Sequence, residues 1–92
     1  MSARRYLAYI NRDEYLDFCR LISSLPVAHE IFVYEQYIAG LEFAGDAVTI
    51  EVPIADFRAF AARTGRSDRE ALNDCARELA TGESKRLNRN VG

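Results

Sequence analysis

Residues 41–52 read Leu-Glu-Phe-Ala-Gly-Asp-Ala-Val-Thr-Ile-Glu-Val. Apolar and polar residues alternate on either side of Gly45-Asp46. If those two residues form the loop, Ala44 faces Ala47, Phe43 faces Val48, Glu42 faces Thr49 and Leu41 faces Ile50. Side chains alternate across a strand, so Leu41, Phe43, Val48, Ile50 and Val52 then share one face, while Glu42, Thr49 and Glu51 share the other. Glycine at the first loop position suits a type II′ turn, whose twist matches that of the strands it joins. The stretch therefore reads as a β-hairpin, with strands near 41–44 and 47–52.

The run before it, Ile-Phe-Val-Tyr-Glu-Gln-Tyr-Ile at 31–38, is rich in β-formers and reads as a third strand over 30–39. Running straight into the hairpin, that strand would put Glu35 in the core with Val33 and Tyr37. A bulge or turn at Ala39-Gly40 shifts the phase, places Phe32, Tyr34, Gln36 and Ile38 inward, and avoids an unpaired buried carboxylate. Either phase leaves apolar residues on both sides. Such a strand is covered twice or meets a partner chain.

The flanks are clearer. Tyr6 to Ile10 lies in a strand over 4–10, because the apolar stripe Tyr15, Phe18, Cys19 and Ile22 does not extend back through it. That stripe marks a helix near 12–24, capped by Asn11 with Glu14 three residues on, and stopped before Pro26. Pro53 opens a helix over 54–63, with Ile54, Phe57, Phe60 and Ala61 inward and Gly65 as its C-terminal cap. Ser67-Asp68-Arg69-Glu70 forms a capping box for a helix over 68–81 carrying Leu72, Cys75, Ala76 and Leu79. The order β-α-β-β-α-α predicts an α+β fold, a small antiparallel or mixed sheet packed against helices. Residues 1–82 are expected to form one domain, and 83–92 a polar, basic, flexible tail.

Composition narrows the classes of function. The 92 residues are 49% hydrophobic, with five Phe and five Tyr, enough to build a core without disulfides or metal. No apolar run approaches the roughly 20 residues that span a bilayer, and the basic start meets Asn11, Arg12, Asp13 and Glu14 before any signal-type core. A cytoplasmic protein is expected. Eleven of the twelve basic residues are arginine, a usage that suits a high-GC bacterial genome. The net charge of -2 is uneven: between Tyr6 and Glu83, fourteen acidic residues face seven basic ones. An acidic body of this kind disfavours broad contact with phosphate backbones.

Residues able to carry chemistry are few. His29 is the only histidine, stands beside Glu30 and has nothing at ligand spacing, so it reads as an ordinary loop residue. Cys19 and Cys75 lie on apolar helix faces without Cys-x-x-Cys spacing and read as buried thiols. Asp13, Glu14 and Asp17 read as favouring a helix N-terminus, and Glu42 and Glu51 as solvating the outer hairpin face. No phosphate loop, nucleophile elbow or zinc pattern is present, and no cofactor or metal is expected.

Two functional readings remain. Tyr34 and Tyr37 cannot share one strand face, so at least one points outward. With Ile31 and Val33 they mark a protein-binding surface, for another protein or for a second copy joined through the sheet. The alternative is a nucleic-acid-associated regulator. Arg58, Arg63, Arg66 and Arg69 surround the turn between the last two helices, and Lys85, Arg86 and Arg89 follow in the tail.

Overall fold

The computed structural model of the chain describes residues 5–42 and 46–82. Strand β1 (Arg5–Tyr9) leads through a 3₁₀ turn (Arg12–Glu14) into α1 (Tyr15–Leu21). Helix α2 (His29–Leu41), strand β2 (Ala47–Glu51), α3 (Ile54–Thr64) and α4 (Arg69–Thr81) follow. The fold is a mixed α+β arrangement of four helices and a two-stranded sheet.

The two strands run parallel, with Arg5 beside Ala47 and Tyr9 beside Glu51. This corrects the expectation of an antiparallel or mixed sheet. It also corrects the strand over 30–39, which is the helix α2. The expected hairpin partner of β2 begins as the last turn of that helix, and the remainder of the proposed turn, 43–45, lies outside the described residues. The cause is a period hidden by composition. Phe32 and Gln36 are buried four residues apart, and Gly40 follows after four more. There the missing side chain matters: a Cβ on Gly40 would lie 3.3 Å from Leu7 Cδ1 and 3.8 Å from Ala47 Cβ. Gly40 is a point of close approach between helix and sheet, and not a bulge. Of the four residues expected inward, Phe32 and Gln36 are buried, while Tyr34 and Ile38 are exposed.

With α2 a helix, β1 reaches β2 by a crossover through α1 and α2, which is what parallel pairing requires. Ala8 and Ile10 from β1 and Val52 beyond β2 enter the main core. They join Tyr15, Phe18 and Ile22 from the α1 region, Phe57 and Phe60 from α3, and Leu72 and Cys75 from α4. Helix α2 packs on the opposite face, against Leu7 and Ala47.

The flanking elements follow the sequence closely. The first helical stretch spans a 3₁₀ turn and α1, and ends at Leu21 rather than near Ser24. Asn11 Oδ1 accepts the Asp13 N–H, as a capping residue does. Helix α3 ends at Gly65 with φ 72° and α4 at Gly82 with φ 78°, left-handed positions that glycine occupies without strain. The cap of α4 is Asp68, one residue later than Ser67, with its Oδ1 accepting the Ala71 N–H at 2.7 Å.

Candidate interaction surface

A helix laid on a sheet by one stripe normally turns polar side chains outward. Helix α2 does not. Ile31, Tyr34, Tyr37, Ile38 and Leu41 are all exposed, Tyr34 at 63% and Tyr37 at 61%, and Val27 just before the helix is 93% exposed. Ile31, Tyr34, Ile38 and Leu41 stand at i, i+3, i+7 and i+10, the spacing of a seam that meets another element. Of the residues singled out for protein binding, Ile31, Tyr34 and Tyr37 lie on this arc. Val33 does not: it is half-buried against the core.

The arc borders the sheet on the β2 side. Tyr37, Gly40 and Leu41 share with Leu7, Ala47 and Thr49 a shallow depression of about 150 Å³. The other flank of α2 is occupied. Arg69 from α4 donates to Glu35 Oε1 at 2.6 Å and to Gln36 Oε1 at 3.2 Å, and lies over the Phe32 ring at 5.1 Å. The open side of α2 is therefore the one above β2.

The arginines expected to form a basic edge are mostly engaged. Arg63 pairs with Glu78 at 2.6 Å, Arg66 with Asp74 at 2.9 Å and Arg69 with Glu35. The hydrogen bond to Asp74 raises the Arg66 pKa further. Arg58 is exposed on α3, and Lys85, Arg86 and Arg89 lie outside the described residues.

The remaining candidates are built into the framework. His29 Nε2 lies 2.6 Å from the Ile10 carbonyl, so this nitrogen carries the proton, and Tyr9 and Tyr15 meet the ring edge-on. It opens α2 rather than standing in a loop. Cys75 is buried and Cys19 half-buried, and neither is in a disulfide. Burial, then the nearby Glu78 and Asp56 carboxylates, push the Cys75 thiol up to about 12. Glu14, read as part of a local cap, instead reaches the start of α3, where its Oε1 accepts the Ile54 N–H at 3.0 Å. Sequence spacing held no signal for this, since the pair is forty residues apart. Among the described residues no three His, Cys, Asp or Glu side chains gather as a metal site would need, and no helix is long and apolar enough to cross a membrane.

No family model matches the chain, and comparison with curated proteins and with solved structures returns no match.

Proposed function

We propose that this chain is a protein-interaction module whose contact surface is the outer arc of α2. The observation that carries this reading is the placement of five large apolar side chains on one exposed side of one helix. Each contributes about 1.5–3 kcal/mol when removed from water, and a contiguous patch of this kind marks contact sites more often than bare surface. Tyrosine suits such a surface, since it buries a large area at small entropic cost and keeps a polar tip. A nucleic-acid surface would need arginines free to meet phosphate, whereas Arg63, Arg66 and Arg69 face carboxylates.

The test is photo-cross-linking inside the native host. A photoreactive residue replaces Tyr34 or Ile38 in turn, with exposed Glu70 on α4 as the control position. Positions 34 and 38 are expected to yield one discrete product, identified by mass spectrometry and re-formed from purified components. Yields no higher than those from position 70 would remove the reading.

A further inference from the structure

The two edges of the sheet are treated differently. On the outer edge of β1, Asn73 Oδ1 accepts the Ala8 N–H, Gln36 Nε2 donates to the Ala8 carbonyl and His29 Nε2 donates to the Ile10 carbonyl. That edge is capped by side chains. The β2 edge is not.

Two bonds fix which groups face it. Arg5 N–H donates to the Asp46 carbonyl, and Val52 N–H to the Tyr9 carbonyl. In a parallel ladder this turns the backbone groups of Val48 and Ile50 toward β1, and those of Ala47, Thr49 and Glu51 away from it. No residue among those described bonds these six outward groups. An edge with alternate free donors and acceptors is a template for another strand.

We propose that β2 is a dimerisation edge, on which a second copy of this chain adds its own β2 antiparallel, about a two-fold axis at Thr49. This rests on reading α2 as a contact surface, and names what meets it. The open groups are self-complementary about Thr49. Thr49 of one copy exchanges both backbone bonds with Thr49 of the other, and Ala47 of each does so with Glu51 of its mate, so all six groups are satisfied. Threonine opposite threonine is a favourable cross-strand pair, and each Glu51 meets a small neutral neighbour. Other registers do worse. A slip by one pair sets Ala47 opposite Pro53, which has no N–H, and a further slip sets Glu51 against Glu51. The product is a four-stranded sheet in the order β1-β2-β2-β1.

The roof over this edge already exists. Tyr37 and Leu41 border the same depression as Ala47 and Thr49. Residues directly opposite in an antiparallel pair lie on one side of the sheet, so the two-fold axis brings both α2 helices to one face. Their apolar arcs then turn toward the axis and leave water together.

The test is sedimentation velocity on the purified full chain at about 1–100 μM, a range that reports micromolar association. The wild type is expected to form dimers. Thr49→Pro removes the central outward N–H and leaves the bonds to β1, which use Val48 and Ile50. Thr49→Lys sets two like charges opposite each other. Each should weaken the dimer by at least about tenfold, with circular dichroism unchanged. Should Thr49→Pro fail to fold, Thr49→Lys carries the test, because the Thr49 side chain is exposed. Register is read separately: Thr49→Cys joins two copies under mild oxidation, and Glu70→Cys does not. A wild type that stays monomeric over the whole range, or a dimer as tight in Thr49→Lys, overturns the proposal. In that event, cross-links from positions 34 and 38 to a different protein would leave the contact surface standing, and their absence would remove both.

Discussion

The Gln36 side-chain amide donates to Asn73 Oδ1 at 3.2 Å, and the two residues hold Ala8 between them. Asn73 Oδ1 takes the Ala8 N–H and Gln36 Nε2 gives to the Ala8 carbonyl, each at 2.9 Å. Ala8 is fully buried, so these backbone groups have no water to fall back on. Asn73→Leu keeps the volume and orphans the Ala8 N–H, at an expected cost of about 1–3 kcal/mol in urea denaturation. Gln36→Leu should cost a similar amount. The double variant should cost less than the two singles together, since the side chains form one network.

Glu14 joins the beginning of the chain to the start of α3. The N-cap position of that helix is Pro53, which offers no side-chain acceptor, so the Glu14 carboxylate accepts the Ile54 N–H instead. A negative charge there also meets the positive end of the helix. Glu14→Ala is expected to cost about 0.5–2 kcal/mol, as lost caps do. Glu14→Gln keeps the acceptor and loses only the charge, so its cost should be smaller. Paired thermal unfolding curves separate the two contributions.

Where the apolar period is carried by residues of one kind, the sequence is legible. Tyr15, Phe18 and Ile22 are buried in α1, Phe57 and Phe60 in α3, and Leu72, Cys75 and Ala76 in α4. Asn11, Gly65 and Gly82 stand at the ends of their elements. Strand β2 also alternates as expected, with Val48 and Ile50 more covered than Thr49 and Glu51. The misreading was confined to α2 and its consequences. Its buried stripe includes a glutamine and passes a glycine, while its exposed arc is tyrosine, isoleucine and leucine. Local β-propensity then outweighs a helical period whose inward members look polar. Ile31, Tyr34 and Tyr37 are picked out even so, because an apolar side chain with no covered face is conspicuous under either assignment. The pairing of β1 with β2 is not local at all, and neither is the reach of Glu14 to α3.

The helical assignment of 29–41 makes a graded prediction for stability. Phe32 is fully buried between Tyr15 and Arg69, so Phe32→Ala should cost about 3–5 kcal/mol. Tyr34→Glu and Ile38→Glu alter exposed side chains and should stay within about 0.5 kcal/mol at concentrations where the chain is monomeric. A strand with Phe32, Tyr34 and Ile38 on one inward face would lose heavily at all three. Urea midpoints for the three variants therefore separate the two arrangements.

Alkaline pH should unfold the protein through two buried groups. Cys75 is raised from 9.0 to about 12, first by burial and then by Glu78 and Asp56. Tyr15 is raised from 10.0 to about 12, first by burial and then by its neighbour Cys19, while its hydroxyl donates to the Pro26 carbonyl. For both, the folded state holds the proton more tightly than the unfolded state does. Their contribution is complete below the unfolded values, and is lost as pH rises through 9 and 10 toward 12. The urea midpoint should be insensitive to these groups from neutral pH to about 9 and fall above it. Cys75→Ala should lower stability throughout by opening a small cavity, yet flatten the first part of the alkaline fall. Tyr15→Phe should flatten the part above pH 10, where its hydroxyl would titrate in the unfolded chain. Thiol alkylation gives an independent check, with half-buried Cys19 modified first and Cys75 only as fast as the core opens. Equal alkylation rates for the two cysteines would show that the α4 face carrying Cys75 is open to solvent, and the alkaline fall would then need a different cause.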